Sequence, residues 1–187
     1  VARKVTSDKI IDHLRQAKAD VETSDAWEII DGQQRLTTIF ILYKYLMDSL
    51  RYSEEDLKVD YGDRRLYHIY YATRKGSADF LYNIGKDSEN VGKNVDFHFM
   101  QNAYNVIDDW ICSKGDYIGC GAMELCKRYK QSETKKRVCT ILFDLLNAEK
   151  GKKSDYGSVQ ILWYELGPEK DAIKEFREVN NGQIRLT

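Results

Sequence analysis

Trp27-Glu28-Ile29-Ile30-Asp31-Gly32-Gln33-Gln34-Arg35-Leu36-Thr37-Thr38 is the stretch on which the reading of this chain turns. A short apolar run, Ala26 to Ile30, reads as a strand and ends in an Asp-Gly turn. Two carboxamides and an arginine follow, and a strongly apolar helical pattern then runs from Leu36 to Leu50. Within it Leu36, Ile39, Phe40, Tyr43, Leu46, Met47 and Leu50 keep the three-four spacing of a core-facing stripe. Strand, turn and helix therefore gather one acid, two amides and one guanidinium at a helix start. Such a start exposes unpaired N–H groups and a partial positive charge, which suits a phosphate.

Upstream of this stretch, Ser7 to Lys18 carries Ile10, Ile11 and Leu14 at helical spacing behind a capping serine. Ala19 to Asp25 reads as a polar loop. Downstream, Tyr52 to Asp63 is polar, the tyrosine-rich Arg65 to Tyr71 fits a strand, and Gly76 to Ile84 fits a short helix. Gly85 to Asn94 is loop-like. Asp96 to Cys112 is a second strong helix, with Phe99, Ala103, Val106, Ile107 and Trp110 on one side. A short helix is expected at Glu124 to Tyr129, while Lys136 to Leu146 fits helix and strand alike. Val159 to Leu166, bounded by Gly157 and Gly167-Pro168, reads as a buried strand. Glu169 to Val179 reads as a helix stopped by Asn180, Asn181 and Gly182. The pattern is that of an α+β chain with more helix than strand. It has no internal repeat and a single proline, so no linker stands out.

A chain of 187 residues can bury a real core. Charged residues make up 32% and hydrophobic ones 42%, the balance of an ordinary globular protein. The net charge of −1 argues against a module that grips duplex DNA mainly through its phosphates. Lys127-Arg128-Tyr129-Lys130 and Lys135-Lys136-Arg137 are local basic patches, expected to be solvated helix faces. The four cysteines, at 112, 120, 126 and 139, form no CxxC pair and lie near no histidine at ligand spacing. That argues against a zinc site and fits reduced thiols in a cytoplasmic protein. No apolar run is long enough to span a bilayer, so no membrane role is expected.

The central stretch resembles the IIDGQQRLTT signature of the DGQQR domain, found at the N-terminus of GmrSD-type, modification-dependent restriction proteins. Other segments resemble the same family in the same order. Tyr71 to Leu81 is similar to its "TR..S..FL" segment, and Asp96 to Ile107 to its "IDFYH...AY..I" helix. Val159 to Glu165 resembles its "FIWYE" strand, and Phe176 to Thr187 its "F..LN.GKI.LT" element. The resemblance implies a small ParB/sulfiredoxin-like sheet around the DGQQR strand-turn-helix, with a larger helical part. Against the family pattern the chain begins after an "IP.YQR.Y.W" segment and stops before an "LT..E" continuation. The expectation is thus a single DGQQR-type domain, truncated at both ends and lacking the HNH-type nuclease domain.

Taken alone, Asp31-x-x-Gln34 is a capping box, with Gln34 reaching back to the cap amide. A cap does not need two amides followed by an arginine, and the resemblance implies chemistry. Asp31 is then a ligand for Mg²⁺ or its water shell, or an acceptor for ribose or the attacking water. Gln33 or Gln34 orients water or a phosphate oxygen, and Arg35 neutralises phosphate through its planar fork. Gly32 lets backbone approach the ligand, with Thr37 and Thr38 beside it. Arg74 and Ser77 are either a helix start with a surface arginine or a second phosphate contact. Asn180 and Gly182 are helix-stop residues that the family element also places at the nucleotide. His98, between Phe97 and Phe99, is expected to be a core histidine, and Trp27, Trp110 and Trp163 are expected in the core.

Two functions remain open on the residues. The first is a nucleotide-binding domain that hydrolyses a nucleoside triphosphate with Mg²⁺ or another divalent cation. It would control a nuclease domain or subunit in phage defence, with DNA held through other parts of the full protein. Phosphoryl transfer asks mostly for positioning and charge neutralisation, and there is no Walker A lysine, so this would not be a P-loop enzyme. The second is a non-catalytic ParB-like module that contacts DNA or a partner, in which DGQQR only holds a turn. What separates them is whether Asp31 and Arg35 face one cleft with Asn180 or are spent on caps and surface ion pairs.

Overall fold

The computed structural model describes residues 1–4, 26–53, 56, 67–71, 73, 74, 76–85, 91–117, 127–147, 158–167 and 169–181. In chain order its elements are β1 (Ala2–Lys4), β2 (Trp27–Ile29), α1 (Gln33–Leu50), α2 (Ser77–Tyr82), a 3-10 turn (Val91–Lys93), α3 (Val95–Tyr117), α4 (Lys127–Asn147), β3 (Glu165–Leu166) and α5 (Ala172–Asn181). Helices with a small mixed sheet make the α+β class expected from the sequence. The chain divides into two compact units, one of residues 1–36 with 161–187 and one of residues 37–160. The expected helix at Ser7 to Lys18 and the loop after it lie outside the described residues.

The first unit holds the sheet, in the order β2-β1-β3. β1 runs antiparallel to β2, with Ala2 opposite Ile29, Arg3 opposite Glu28 and Lys4 opposite Trp27. It runs parallel to β3, with Ala2 opposite Glu165 and Arg3 opposite Leu166. An Arg3–Glu28 ion pair of 2.5 Å crosses between the antiparallel strands. Such opposed charges support the register modestly. Among the described residues of this unit, Ala2 and Leu166 are the buried apolar ones.

The strand expected from Val159 to Leu166 is corrected to its last two residues. β1 is three residues long, so it pairs only with Glu165 and Leu166, while its Ala2 N–H donates to the Tyr164 carbonyl at 3.0 Å. Ile161 to Tyr164 stays exposed, with Leu162 wholly so. Helix α5 starts three residues later than Glu169. There the Asp171 carboxylate accepts from the N–H groups of Ile173 and Lys174, at 2.9 and 3.3 Å, as an N-cap does.

The second unit is built around α1. Phe40, Ile41, Tyr43, Tyr45, Leu46 and Met47 are all buried, so the helix is covered over more of its circumference than a single stripe predicts. A helix apolar on most sides belongs inside. Phe40 meets Tyr67 and Tyr82 edge-on at 5.6 and 5.2 Å, and Tyr43 meets Phe143 of α4 at 5.2 Å. The Tyr43 hydroxyl donates to Asn147 Oδ1 at 2.5 Å, and Asn147 Nδ2 donates to the Phe143 carbonyl at 2.8 Å. That satisfies a buried amide, which would otherwise destabilise the core. Residues 136–146, open to either reading in the sequence, are helix here, with Val138, Cys139 and Phe143 buried at three-four spacing.

Four further expectations are corrected. Residues 67–71 form no strand: Tyr67, Ile69 and Tyr71 turn inward in alternation, but no strand pairs with them among the described residues. His98 is exposed, because the buried face of α3 runs through Met100, Ala103, Tyr104, Ile107 and Ile111. Phe99, Val106 and Trp110 lie off that face and are exposed. Of the tryptophans, Trp110 and Trp163 are about half exposed, while Trp27 is partly buried and meets Trp163 edge-on at 5.3 Å.

Where α1, α3 and α4 converge, Asp108 Oδ1 accepts from the Tyr45 hydroxyl at 2.5 Å and from Lys135 Nζ at 2.8 Å. Burial and the bond to Asp108 push the Tyr45 phenol up to about 12. Burial works against the Lys135 ammonium, but its bonds to Asp108 and Tyr45 outweigh it and raise its pKa. The Asp108 carboxyl is held below its ordinary 3.8, first by Lys135 and then by Tyr45. A depressed carboxylate adds stability that is complete above the unfolded value and is lost as pH falls through the folded one. Thermal melts taken downward from neutral pH should therefore show a loss below about pH 4 that is smaller in Asp108→Asn.

Candidate functional site

The DGQQR segment folds as one tight unit between β2 and α1. The chain leaves β2 at Ile29 and turns on Gly32, whose φ is +95°. That left-handed conformation costs a side chain about 1–2 kcal/mol, which is why glycine stands there. The Gly32 carbonyl accepts the first helical hydrogen bond, from Leu36 N–H at 3.0 Å. Gly32, and not Asp31, is thus the residue from which α1 starts, and since glycine has no side chain to cap with, the capping box read from Asp31 and Gln34 is corrected: the Asp31 carboxylate accepts from Arg35 instead.

Arg35 then folds back over the turn. Its guanidinium donates to Asp31 Oδ2 at 3.2 Å, and its atoms lie 3.6 to 3.9 Å from where a Gly32 Cβ would stand. The Arg35 side chain is 77% exposed and that of Asp31 31%. Gln33 Nε2 donates to the Ile29 carbonyl at 2.9 Å and pins the helix start to the end of β2. Gln34 is exposed on the first turn, as is Thr38 on the second. Since a Cβ at Gly32 makes only ordinary contacts, Gly32→Ala should cost about 1–2 kcal/mol through backbone strain alone. A chemical melt showing no loss would mean that the turn relaxes freely.

Thr37, Arg74 and Ser77 belong to a cluster in the second unit that gathers on Tyr71. Thr37 Oγ1 and the Tyr71 hydroxyl share a hydrogen bond of 2.7 Å. The Arg74 guanidinium lies 5.7 Å from the Tyr71 ring centroid, within cation–π range, and pairs with Asp96 at 3.4 Å. Asp96 sits in the first turn of α3, where Asn94 Oδ1 accepts its N–H at 2.9 Å. Burial raises the Tyr71 phenol, against the bond from Thr37 and the charge of Arg74. Ser77 N–H donates to the Arg74 carbonyl at 3.2 Å, while its hydroxyl is wholly buried and meets no partner among the described residues.

The sequence pattern named Arg74, Ser77 and Thr37 but missed their hub, Tyr71, and the Arg74 partner Asp96. Tyr71 stands two residues before the Thr73-Arg74 pair, and that proximity was the available signal. Asn180 lies in the last turn of α5, and Gly182 lies outside the described residues. Among the described residues, no group of three or more His, Cys, Asp or Glu side chains is placed to hold a metal. No helix among them is long and apolar enough to cross a membrane.

These observations define an α+β chain, mostly helical, that presents an acid, amides and an arginine where a short strand turns into a long helix. Residues 9–187 match the model of the GmrSD restriction endonuclease, N-terminal domain, and the chain belongs to that family. No curated protein and no solved structure matches it.

Proposed function

We propose that the DGQQR turn binds the phosphate groups of a nucleoside triphosphate together with a divalent cation, and that the domain hydrolyses that nucleotide. The observation that carries this reading is the exposed Asp31–Arg35 pair at the start of an 18-residue helix. An arginine tied only to a surface carboxylate is held in place cheaply and can exchange partners, since such pairs contribute about 0–1 kcal/mol. Phosphate offers the guanidinium fork a better bidentate partner and also meets the positive end of α1. Moving Arg35 onto phosphate releases Asp31 for the cation or its water shell. One carboxylate fits Mg²⁺ when the phosphates and water supply the remaining oxygens. Bound there, the cation would neutralise charge developing on the phosphates, while Gln34, exposed on the first turn, orients water.

On this reading the sheet is of the ParB/sulfiredoxin-like kind, and nucleotide turnover controls a nuclease partner that acts on modified phage DNA. The near-neutral charge supports DNA contact through other parts of the full protein. Release of inorganic phosphate from each nucleoside triphosphate with Mg²⁺, and its absence with a chelator, tests the hydrolytic step. A folded wild type that binds nucleotide but releases no phosphate would reduce the function to sensing.

A second reading has its own support. The Asp31–Arg35 pair and the Gln33–Ile29 bond are both internal to the segment, as a purely structural turn requires. It predicts that Asp31→Ala and Arg35→Ala change stability slightly and leave ligand binding untouched.

A further inference from the structure

The two adjacent amides of the DGQQR turn cannot share one task. Successive residues of a helix project about 100° apart, so Gln33 and Gln34 leave the first turn of α1 in different directions. Gln33 turns back, and its Nε2 donates to the Ile29 carbonyl at 2.9 Å.

The sheet explains why that carbonyl takes a side-chain donor. Ile29 closes β2, which lies at the edge of the three-stranded sheet. Opposed residues of an antiparallel pair alternate between hydrogen-bonded and non-hydrogen-bonded positions. Ile30 N–H donates to the Val1 carbonyl at 3.0 Å, so the neighbouring Ala2–Ile29 pair is of the non-hydrogen-bonded kind. The Ile29 carbonyl therefore points away from β1, off the open edge, and the Gln33 amide stands where a further strand would donate.

This bond spans Asp31, which lies midway between Ile29 and Gln33 in the chain. On the other side the Val1 carbonyl accepts the Asp31 N–H at 3.2 Å. The link from Asp31 into the helix is Gly32, at φ +95°, the residue type with the widest choice of backbone conformations. With no tie across that glycine, Asp31 could swing relative to Arg35 while strand and helix stayed folded. We propose that Gln33 is a positioning residue. Its amide braces the Asp31–Gly32 turn and so holds the Asp31 carboxylate where the cation is bound, and Gln33 makes no contact of its own with the nucleotide. This deepens the nucleotide reading above and rests on it.

Gln33→Met keeps the length of the side chain and removes the donor. Calorimetric titration with the β,γ-imido analogues of ATP and GTP, with and without Mg²⁺, reads its effect on binding, and circular dichroism checks the fold. With Mg²⁺ the affinity should fall about 2- to 12-fold, the worth of one neutral hydrogen bond. Without Mg²⁺ it should hardly change, because the brace serves the carboxylate. In an Asp31→Ala background Gln33→Met should cause no further loss, since it acts through Asp31, whereas a residue touching the nucleotide would add a loss of its own. Additive losses, or an equal loss with and without Mg²⁺, would make Gln33 a ligand contact and overturn the proposal. Unchanged affinity of Gln33→Met beside a wild type that binds would overturn the brace and leave the nucleotide reading standing. A wild type that binds neither analogue overturns both.

Discussion

Arg35→Ala is expected to weaken binding of a nucleoside triphosphate by about 10- to 150-fold while leaving the fold intact. A hydrogen bond to a charged group contributes about 1.5–3 kcal/mol, and each 1.4 kcal/mol is a factor of ten in affinity. The fold should survive because the Arg35 side chain is 77% exposed and pairs only with Asp31 among the described residues. An exposed pair of that kind contributes at most about 1 kcal/mol, so the melting temperature should move by only a few degrees. Asp31→Ala should act differently. Without Mg²⁺ its effect on affinity should be small, because removing a carboxylate also frees Arg35 for phosphate. With Mg²⁺ present it should approach the loss seen for Arg35→Ala. Arg35→Lys keeps the charge and loses the fork, and an intermediate affinity is expected. Calorimetric titration of wild type and the three variants, with and without Mg²⁺, reads all of this. A wild-type affinity retained by Arg35→Ala would remove phosphate from the turn and leave DGQQR as a structural device.

The largest expected effect on stability is that of Phe40→Ala, at about 3–5 kcal/mol. Phe40 is wholly buried on α1, with the rings of Tyr67 and Tyr82 edge-on against it. Truncation loses the transfer free energy of the ring and leaves a cavity that two tyrosines held by their own neighbours cannot refill. For a chain of this length that corresponds to a fall in melting temperature of roughly 6–20 °C. Ile173→Ala on α5 supplies the contrast, since Ile173 is 65% exposed and its loss should stay within about 0.5 kcal/mol. Urea melts of both variants check the pair. Equal destabilisation by the two would mean that the core does not centre on α1.

Periodicity located the helices because burial on one face leaves a mark every three or four residues. The pattern from Leu36 to Leu50 and the one from Asp96 to Cys112 both became helices, each longer than its apolar run. The same arithmetic failed at Val159 to Leu166. An apolar run shows that a segment is fit to be buried in a sheet, but it does not supply the partner. β1 ends after three residues, and the aromatic run that precedes Glu165 stays exposed.

The candidate site divides along the same line. One short segment determined by itself the strand, the turn, the helix start and the presence of Asp31 and Arg35 within one helical turn, because all of these are local. Family membership was equally legible, since it rests on residue types in a fixed order. Tertiary structure alone decided which stripe of α3 is core, since two apolar faces on one helix look alike until the neighbours choose between them. It alone assembled Thr37, Tyr71, Arg74 and Asp96, since the Thr37–Tyr71 bond spans 34 residues of chain and the Arg74–Asp96 pair spans 22. Local rules fix what a segment can become, and packing selects which of its faces and partners are used.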